Sequence, residues 1–353
     1  MASRMLGRLA AVAAALALGA GAPGHGVAQT QQMTDHEGEL YAAAKKEGAI
    51  VWYVSQTTTE FADLACRQFD ARYPGVHCSA VRASGQVVMQ RLMQEVKAGA
   101  VQADVMSSND DTQMVILDRG GQLAEYTPEN AKYMLASLIK AGNAGKWSIT
   151  SVAPLGMMAN KGLVPAGEAP RDWKDLLDPR WKGQIAIGHP GFSGSVGVWV
   201  VTMKKLYGWD YFEQLAKNQV QVGRSIGDGV SLVESGERKI AVVPMTLAEG
   251  SRQQGRPTSP IYPASGLILP PGVTAVMAKA PHPSAGRLFL EFLLSKDYSE
   301  TLRKTARWPL RTDVPAPEGM PGLDGMRLIS TPTQDVMDQL KEVQQQFRDA
   351  FGT

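Results

Sequence analysis

Gly223-Arg224-Ser225-Ile226-Gly227 holds two residues able to do chemistry. An arginine side chain is a planar fork that meets a carboxylate or phosphate with two parallel hydrogen bonds. Arg224 therefore suits anion recognition; it equally suits a solvated surface or an ion pair within the fold. The same five residues fit the G-x-S-x-G corner that presents a nucleophilic serine between a strand and a helix. A hydrolase would then need an acid followed by a histidine. His282 is the one later histidine, and Asp297 follows it instead of preceding it. No glycine-rich oxyanion loop stands out. A secreted serine esterase acting through Ser225 is thus the rival reading from another class.

A second set of candidates is spread over several short polar loops. Ser55, Gln56, Thr57 and Thr58 follow the apolar run Ala49-Ile50-Val51-Trp52-Tyr53-Val54, and Ser84 and Gly85 follow the next predicted strand. Ser107 and Ser108 come after Ala103-Asp104-Val105-Met106. Ser193, Gly194 and Ser195 come after Gln184-Ile185-Ala186-Ile187, and Thr246 comes after Ile240-Ala241-Val242-Val243-Pro244. Hydroxyls and backbone N–H groups at helix starts are donors, and the helix start favours a negative charge. Serine and threonine are also the preferred helix N-caps and need no ligand there. The binding reading rests on several of these loops meeting in one cleft.

Metal and cofactor chemistry find little support. Cys66 and Cys78 are the two cysteines, and His77 stands beside Cys78 without a second Cys-His pair. A disulfide is expected, tying a helix to the strand after it; a metal pair would lack suitable neighbouring ligands. No H-E-x-x-H occurs, and most of the sixteen methionines lie in apolar patterns that suit core packing. Gly19-Ala20-Gly21-Ala22-Pro23-Gly24 resembles a dinucleotide fingerprint but falls in the leader described below. No cofactor and no metal are expected.

The elements that must position the loops alternate regularly. Strand, polar loop and helix recur three times between residues 49 and 121, the pattern of a parallel α/β sheet. Ligands on such sheets sit beyond the carboxyl ends of the strands, where these loops lie. An extended stretch, Trp147 to Asn160, leads to a second α/β set. After Arg256-Pro257 the chain is extended again, and His282 to Leu294 reads as a helix with Leu288, Phe289, Phe292 and Leu293 on its apolar face. Two lobes are expected, each a mixed and mostly parallel sheet flanked by helices, with the chain crossing between them twice. The expected division is residues 29–155 in the first lobe, 156–255 in the second, and 256–353 returning to the first with the C-terminal helices.

Arg4 and Arg8 precede the apolar run Leu9 to Ala22, and small residues lead to Gln29. This is the layout of a secretory signal peptide over residues 1–28, so the mature chain is expected to start near Gln29 in an exported compartment. Those 28 residues carry two arginines and no acids. Without them Lys+Arg falls from 36 to 34 against Asp+Glu of 34, and the formal charge falls from +2 to 0. A neutral body gives no reason to expect nucleic acid or anionic lipid as partner. No later apolar run is long enough to span a bilayer.

Three stretches carry a family resemblance: Ala43-Ala44-Lys45-Lys46-Glu47-Gly48 running into Val51-Trp52-Tyr53; Trp173-Lys174-Asp175-Leu176-Leu177-Asp178-Pro179-Arg180-Trp181-Lys182-Gly183; and Ala280-Pro281-His282-Pro283 with Phe289-Leu290-Glu291-Phe292-Leu293-Leu294-Ser295. With them the chain resembles the type II periplasmic solute-binding proteins of ABC importers, in the branch of ferric-iron, phosphonate and sugar-phosphate binders. The resemblance implies a ligand cleft between the lobes, hinge strands, capture by closure, and delivery to an inner-membrane permease. It also implies, for iron binders, a histidine after the first strand, an acid near the second long helix and a tyrosine pair after the last strand of the second lobe. Here those places hold Thr57, then Gly85-Gln86-Val87-Val88-Met89, then Pro244-Met245-Thr246-Leu247. A ferric ion wants anionic oxygen ligands, which these residues do not supply. The expectation is a monomeric receptor for a small organic anion, carboxylate or phosphate-bearing, with ferric iron, alone or with a bound anion, as the alternative.

Overall fold

Thr34 opens the first helix by accepting a hydrogen bond from the Glu37 N–H, and Gly48, at φ 77°, stops it. The computed structural model describes residues 33–141 and 145–353; the expected leader and the mature start near Gln29 lie outside the described residues. From that helix, α1 (Asp35–Glu47), the chain builds β1 (Ala49–Val54), α2 (Thr59–Arg72), β2 (His77–Arg82), α3 (Gly85–Ala98), β3 (Val105–Ser108), α4 (Thr112–Arg119), α5 (Ala136–Ala141) and β4 (Ser148–Val152). Ala153 and Pro154 then carry it into a second sheet. There follow β5 (Leu155–Asn160), β6 (Ile185–Gly188), α6 (Gly194–Tyr207), α7 (Asp210–Lys217), β7 (Gln221–Gly223), α8 (Asp228–Glu234), β8 (Ile240–Pro244), α9 (Met245–Gln253), β9 (Thr258–Ile261) and β10 (Leu267–Ile268). Leu269 and Pro270 lead back into the first sheet through β11 (Pro271–Val276), α10 (Pro283–Leu293) and α11 (Lys296–Lys304). The chain ends in β12 (Leu328–Ile329) and α12 (Thr333–Phe351).

Each sheet is flanked by helices. The first has the order β2-β1-β3-β11-β4, the second β12-β10-β5-β8-β6-β7, with β9 also paired to β5. The connections from β4 to β5 and from β10 to β11 lie side by side. Pro271 pairs with Val152 on one side of the junction and Ile268 with Leu155 on the other. β5 and β11, the strands these connections lead into, are antiparallel to their neighbours. Five strand pairings among the described residues are therefore parallel and five antiparallel, which corrects the expected mostly parallel sheets.

The expected return of residues 256–353 to the first lobe is corrected too. β9 and β10 still belong to the second sheet, so the return begins at Pro270. β12 pairs with β10, and α12 buries Val336, Val343 and Phe347 in the second core. Lys204 and Lys205 of α6 meet Glu342 and Asp335 of α12 at 2.9 and 2.6 Å. The chain thus passes between the lobes a third time, before β12. That passage is irregular rather than extended, which is why no periodicity marks it.

Cys66 of α2 and Cys78 of β2 form a disulfide, with Cα atoms 5.0 Å apart. Trp52, Phe69, Phe289 and Phe292 pack within the core beneath that helix, and the expected apolar face of α10 is wholly buried there. No helix among the described residues is long and apolar enough to cross a membrane.

Candidate functional site

Six strands point their carboxyl ends at one cavity of about 430 Å³ between the sheets. β1 delivers Ser55, Gln56, Thr57 and Thr58; β2 delivers Arg82, then Ser84 and Gly85; β3 delivers Asn109. From the second sheet, β6 leads to Phe192, Ser193, Gly194 and Ser195, β7 to Arg224 and Ser225, and β8 to Thr246 and Leu247. The volume is in the range of small-molecule sites.

The hydroxyls divide into those with structural partners and those without. Thr58 caps α2, accepting from the Phe61 N–H at 3.4 Å. Ser84 and Ser193 hold the N-cap positions of α3 and α6, yet neither side chain makes a capping bond. Their hydroxyls are left to face the cleft. Ser55 lies against Ser107 and Ser108 at 3.4 and 3.5 Å. Ser195 Oγ accepts from Asn109 Nδ2 at 2.8 Å, a bond that joins the two lobes.

Ser107 and Ser108 do not line the cavity, contrary to the sequence expectation. β3 runs two residues further than its apolar run indicates, and both serines lie fully buried inside it. Ser107 Oγ accepts the Trp52 indole N–H at 2.8 Å and meets Thr274 Oγ1 at 2.6 Å. Ser108 Oγ donates to Gln113 Oε1 and accepts from the Asp110 N–H. Ser107 thus ties β3 to β1 and β11, and Ser108 ties it to α4.

The esterase geometry is not assembled. Ser225 Oγ accepts from the Gly227 N–H at 3.1 Å, and no histidine lines the cavity. His282, the residue that reading required, bonds Asp104 just before the start of β3, at the opposite end of the sheet from the cleft.

Three arginines are the charged residues of the lining: Arg82, Arg224 and Arg307. No aspartate or glutamate is among the lining residues. Arg224 lies over the Phe192 ring, 4.8 Å from its centroid, and Arg307 over the Phe61 ring at 3.7 Å. Arg82 Nε donates to the Thr57 carbonyl at 3.0 Å. Among the described residues no carboxylate lies within 4.0 Å of any of these guanidiniums. Burial pushes the Arg307 guanidinium down from its ordinary value, because a cation loses hydration there without an acid to offset it. Burial pushes the Tyr298 phenol beside it up, so Tyr298 stays a neutral donor.

The sequence reading named Arg224 and passed over Arg82, Arg307, Asn109 and the aromatic residues Phe61, Phe192, Tyr298 and Trp308, which also line the cavity. Arg82 ends a predicted strand, a position that offered a signal. Arg307 follows α11 in a stretch without periodicity, and no local signal marks it.

No group of three or more His, Cys, Asp or Glu side chains able to hold a metal ion occurs among the described residues. Thr57, Thr246 and Leu247, which occupy the places expected of iron ligands, all face the cleft, and Tyr298 is the one tyrosine of the lining.

Comparison with known proteins bears on this arrangement. The family model of bacterial extracellular solute-binding proteins matches residues 89–331. A protein of Salmonella typhimurium called a putative 2-aminoethylphosphonate-binding periplasmic protein is 28% identical over 262 residues, which cover 70% of this chain and 74% of that one. An uncharacterized protein of Haemophilus influenzae is 26% identical over 140 residues, 38% of this chain and 40% of its own length. Among solved structures, the periplasmic binding protein AfuA from Actinobacillus pleuropneumoniae, with fructose-6-phosphate bound, superposes with a TM-score of 0.76 at 22% identity, over 86% of this chain and 99% of that one. Iron-bound HitA from Pseudomonas aeruginosa superposes with a TM-score of 0.73 at 18% identity, over 85% and 99%.

Proposed function

Since the chain belongs to the bacterial extracellular solute-binding protein family, we propose that it is the periplasmic receptor of an ABC importer for a small organic anion, carboxylate or phosphate-bearing. One observation carries the choice of ligand: the cavity holds three arginines and no acid. N–H groups at the starts of α3 and α6, which no side chain caps, add positive potential in the same place. Ser84 and Ser193 add hydroxyl donors that their helices do not use.

The ligand works as a bridge. It contacts both lobes only when they are together, so it binds that state better and shifts the population toward it. The permease reads the joined form and receives the solute; no bond is made or broken. The likeness to a protein named for an aminoethylphosphonate and to one holding a sugar phosphate supports an anionic solute. The fold is shared with an iron binder, but a ferric ion among three guanidiniums would meet repulsion and no anionic oxygen of the protein.

A thermal-shift screen of organic acids, phosphonates, sugar phosphates, neutral sugars and ferric citrate tests this reading. A ligand a hundredfold above its Kd adds about 2.7 kcal/mol, enough to move Tm by several degrees. Organic anions should give such shifts, and ferric citrate should produce no visible charge-transfer band. Stabilisation by ferric iron with an accompanying band, or by neutral solutes alone, would overturn the ligand assignment. Labelling of Ser225 by a fluorophosphonate would revive the esterase.

A further inference from the structure

Building on the anion reading just given, we propose that the ligand carries two separated anionic groups and no ammonium, with one anionic end held by Arg224 of the second lobe and the other by Arg307 of the first. The two guanidiniums come from opposite walls. Arg224 follows β7 of the second sheet, and Arg307 follows α11, which packs with the first. Each lies on an aromatic ring, Phe192 and Phe61 respectively. Stacking covers one face of the fork and leaves its N–H edges to meet an anion.

Their hydrogen-bonding capacity is largely unspent. Arg307 gives one bond to the Thr305 carbonyl, at 3.1 Å from Nη1, while Arg82 has already given its Nε to the backbone. Arg307 is partly removed from water and needs a counter-charge, whereas Arg224 is exposed; neither has a carboxylate of the protein within 4.0 Å. Forks seated on separate aromatic rings of opposite lobes suit an anion at each end of a short carbon chain, and Leu247, Pro270 and Leu302 of the same cavity suit the chain between. An ammonium would find three cations and no carboxylate, so the solute named for the Salmonella relative has the wrong charge at one end for this cleft.

Three probes share one two-carbon phosphonate skeleton and differ only at the far end: 3-phosphonopropionate, with a carboxylate; ethylphosphonate, with hydrogen; and 2-aminoethylphosphonate, with an ammonium. Calorimetric titration of the full chain should show 3-phosphonopropionate binding at least about tenfold tighter than the other two. Arg224→Ala and Arg307→Ala should each weaken it about 10- to 150-fold, the range of a lost charge-assisted contact. Against ethylphosphonate, one of these two substitutions should be nearly silent, because only one fork is then occupied. Arg307→Lys, checked by melting curves to be folded, should recover part of the loss. Equal affinities for the three probes, tightest binding of the aminoethyl compound, or no binding by any of them would overturn the two-anion proposal. The anion reading itself would stand through the first result, and it falls separately if only neutral solutes or iron stabilise the protein in the screen.

Discussion

Thr58 and Ser84 occupy the same position at the starts of successive helices, and only Thr58 caps its helix. Sequence alone treats them alike, because both residue types are good N-caps. The structure separates them by where the hydroxyl is engaged. Thr58→Ala should cost about 1 kcal/mol of stability through the lost cap of α2. Ser84→Ala should leave Tm unchanged and weaken ligand binding by about 0.5–1.5 kcal/mol. Denaturant melts of both variants, with titrations beside them, check this; a Ser84 variant that melts early and binds normally would make that hydroxyl structural. The same limit governs the arginines. Arg224 was legible because it stands in a glycine-flanked motif after a strand. Arg307 was not, since its place beside Phe61 depends on how α11 packs against α2, which no local pattern records. Ser107 and Ser108 misled for a related reason: polar residues at the end of an apolar run look like a loop, although here Trp52 and Thr274 of the sheet satisfy one hydroxyl and Gln113 of α4 the other.

The corner between β3 and α4 is where the two lobes touch. Asn109 donates to Ser195 at 2.8 Å, and the hydroxyl of Thr333, at the start of α12, donates to Asp111. Asp110 faces Gly194, where an added Cβ would lie 2.7 Å from the Asp110 Cβ, so only glycine lets the loops approach this closely. Burial pushes the carboxyls of Asp110 and Asp111 up from their ordinary values, and their mutual repulsion adds to the shift of Asp111. A carboxyl raised in the folded state contributes stability that is full below the unfolded pKa and is lost as pH rises through the folded one. Asp110→Asn keeps an oxygen for the Thr112 N–H and hydroxyl, which both reach Asp110 Oδ1. It should therefore raise stability at pH 7.5, with the advantage shrinking as pH falls toward 4. Chemical denaturation across that range tests the sign; an advantage independent of pH would mean the charge is not the cause. Strands and helices of this region were legible from their apolar runs and glycine stops, while the contact between lobes was not, because it joins residues far apart in the chain.

At the scale of the molecule, alternating strands and helices announced two α/β lobes, and the extended stretch from Trp147 to Asn160 announced one crossover between them. The third passage, and the docking of α12 on α6 and α7, stayed hidden because they depend on a surface formed only after the second sheet has folded. The described arrangement has the lobes in contact around a cleft whose fixed charges are all positive. The central claim is that a small anion holds the lobes in this contact. Cys66 and Cys78 are the two cysteines and are joined to each other, so cysteines introduced at the exposed positions Val87 of α3 and Ser231 of α8 can carry spin labels without interference. Pulsed electron–electron resonance should give a broad distribution of label distances in the ligand-free protein. Saturation with the anion that gives the largest thermal shift should contract it to one short, narrow peak. A distribution unchanged at saturation would contradict the account.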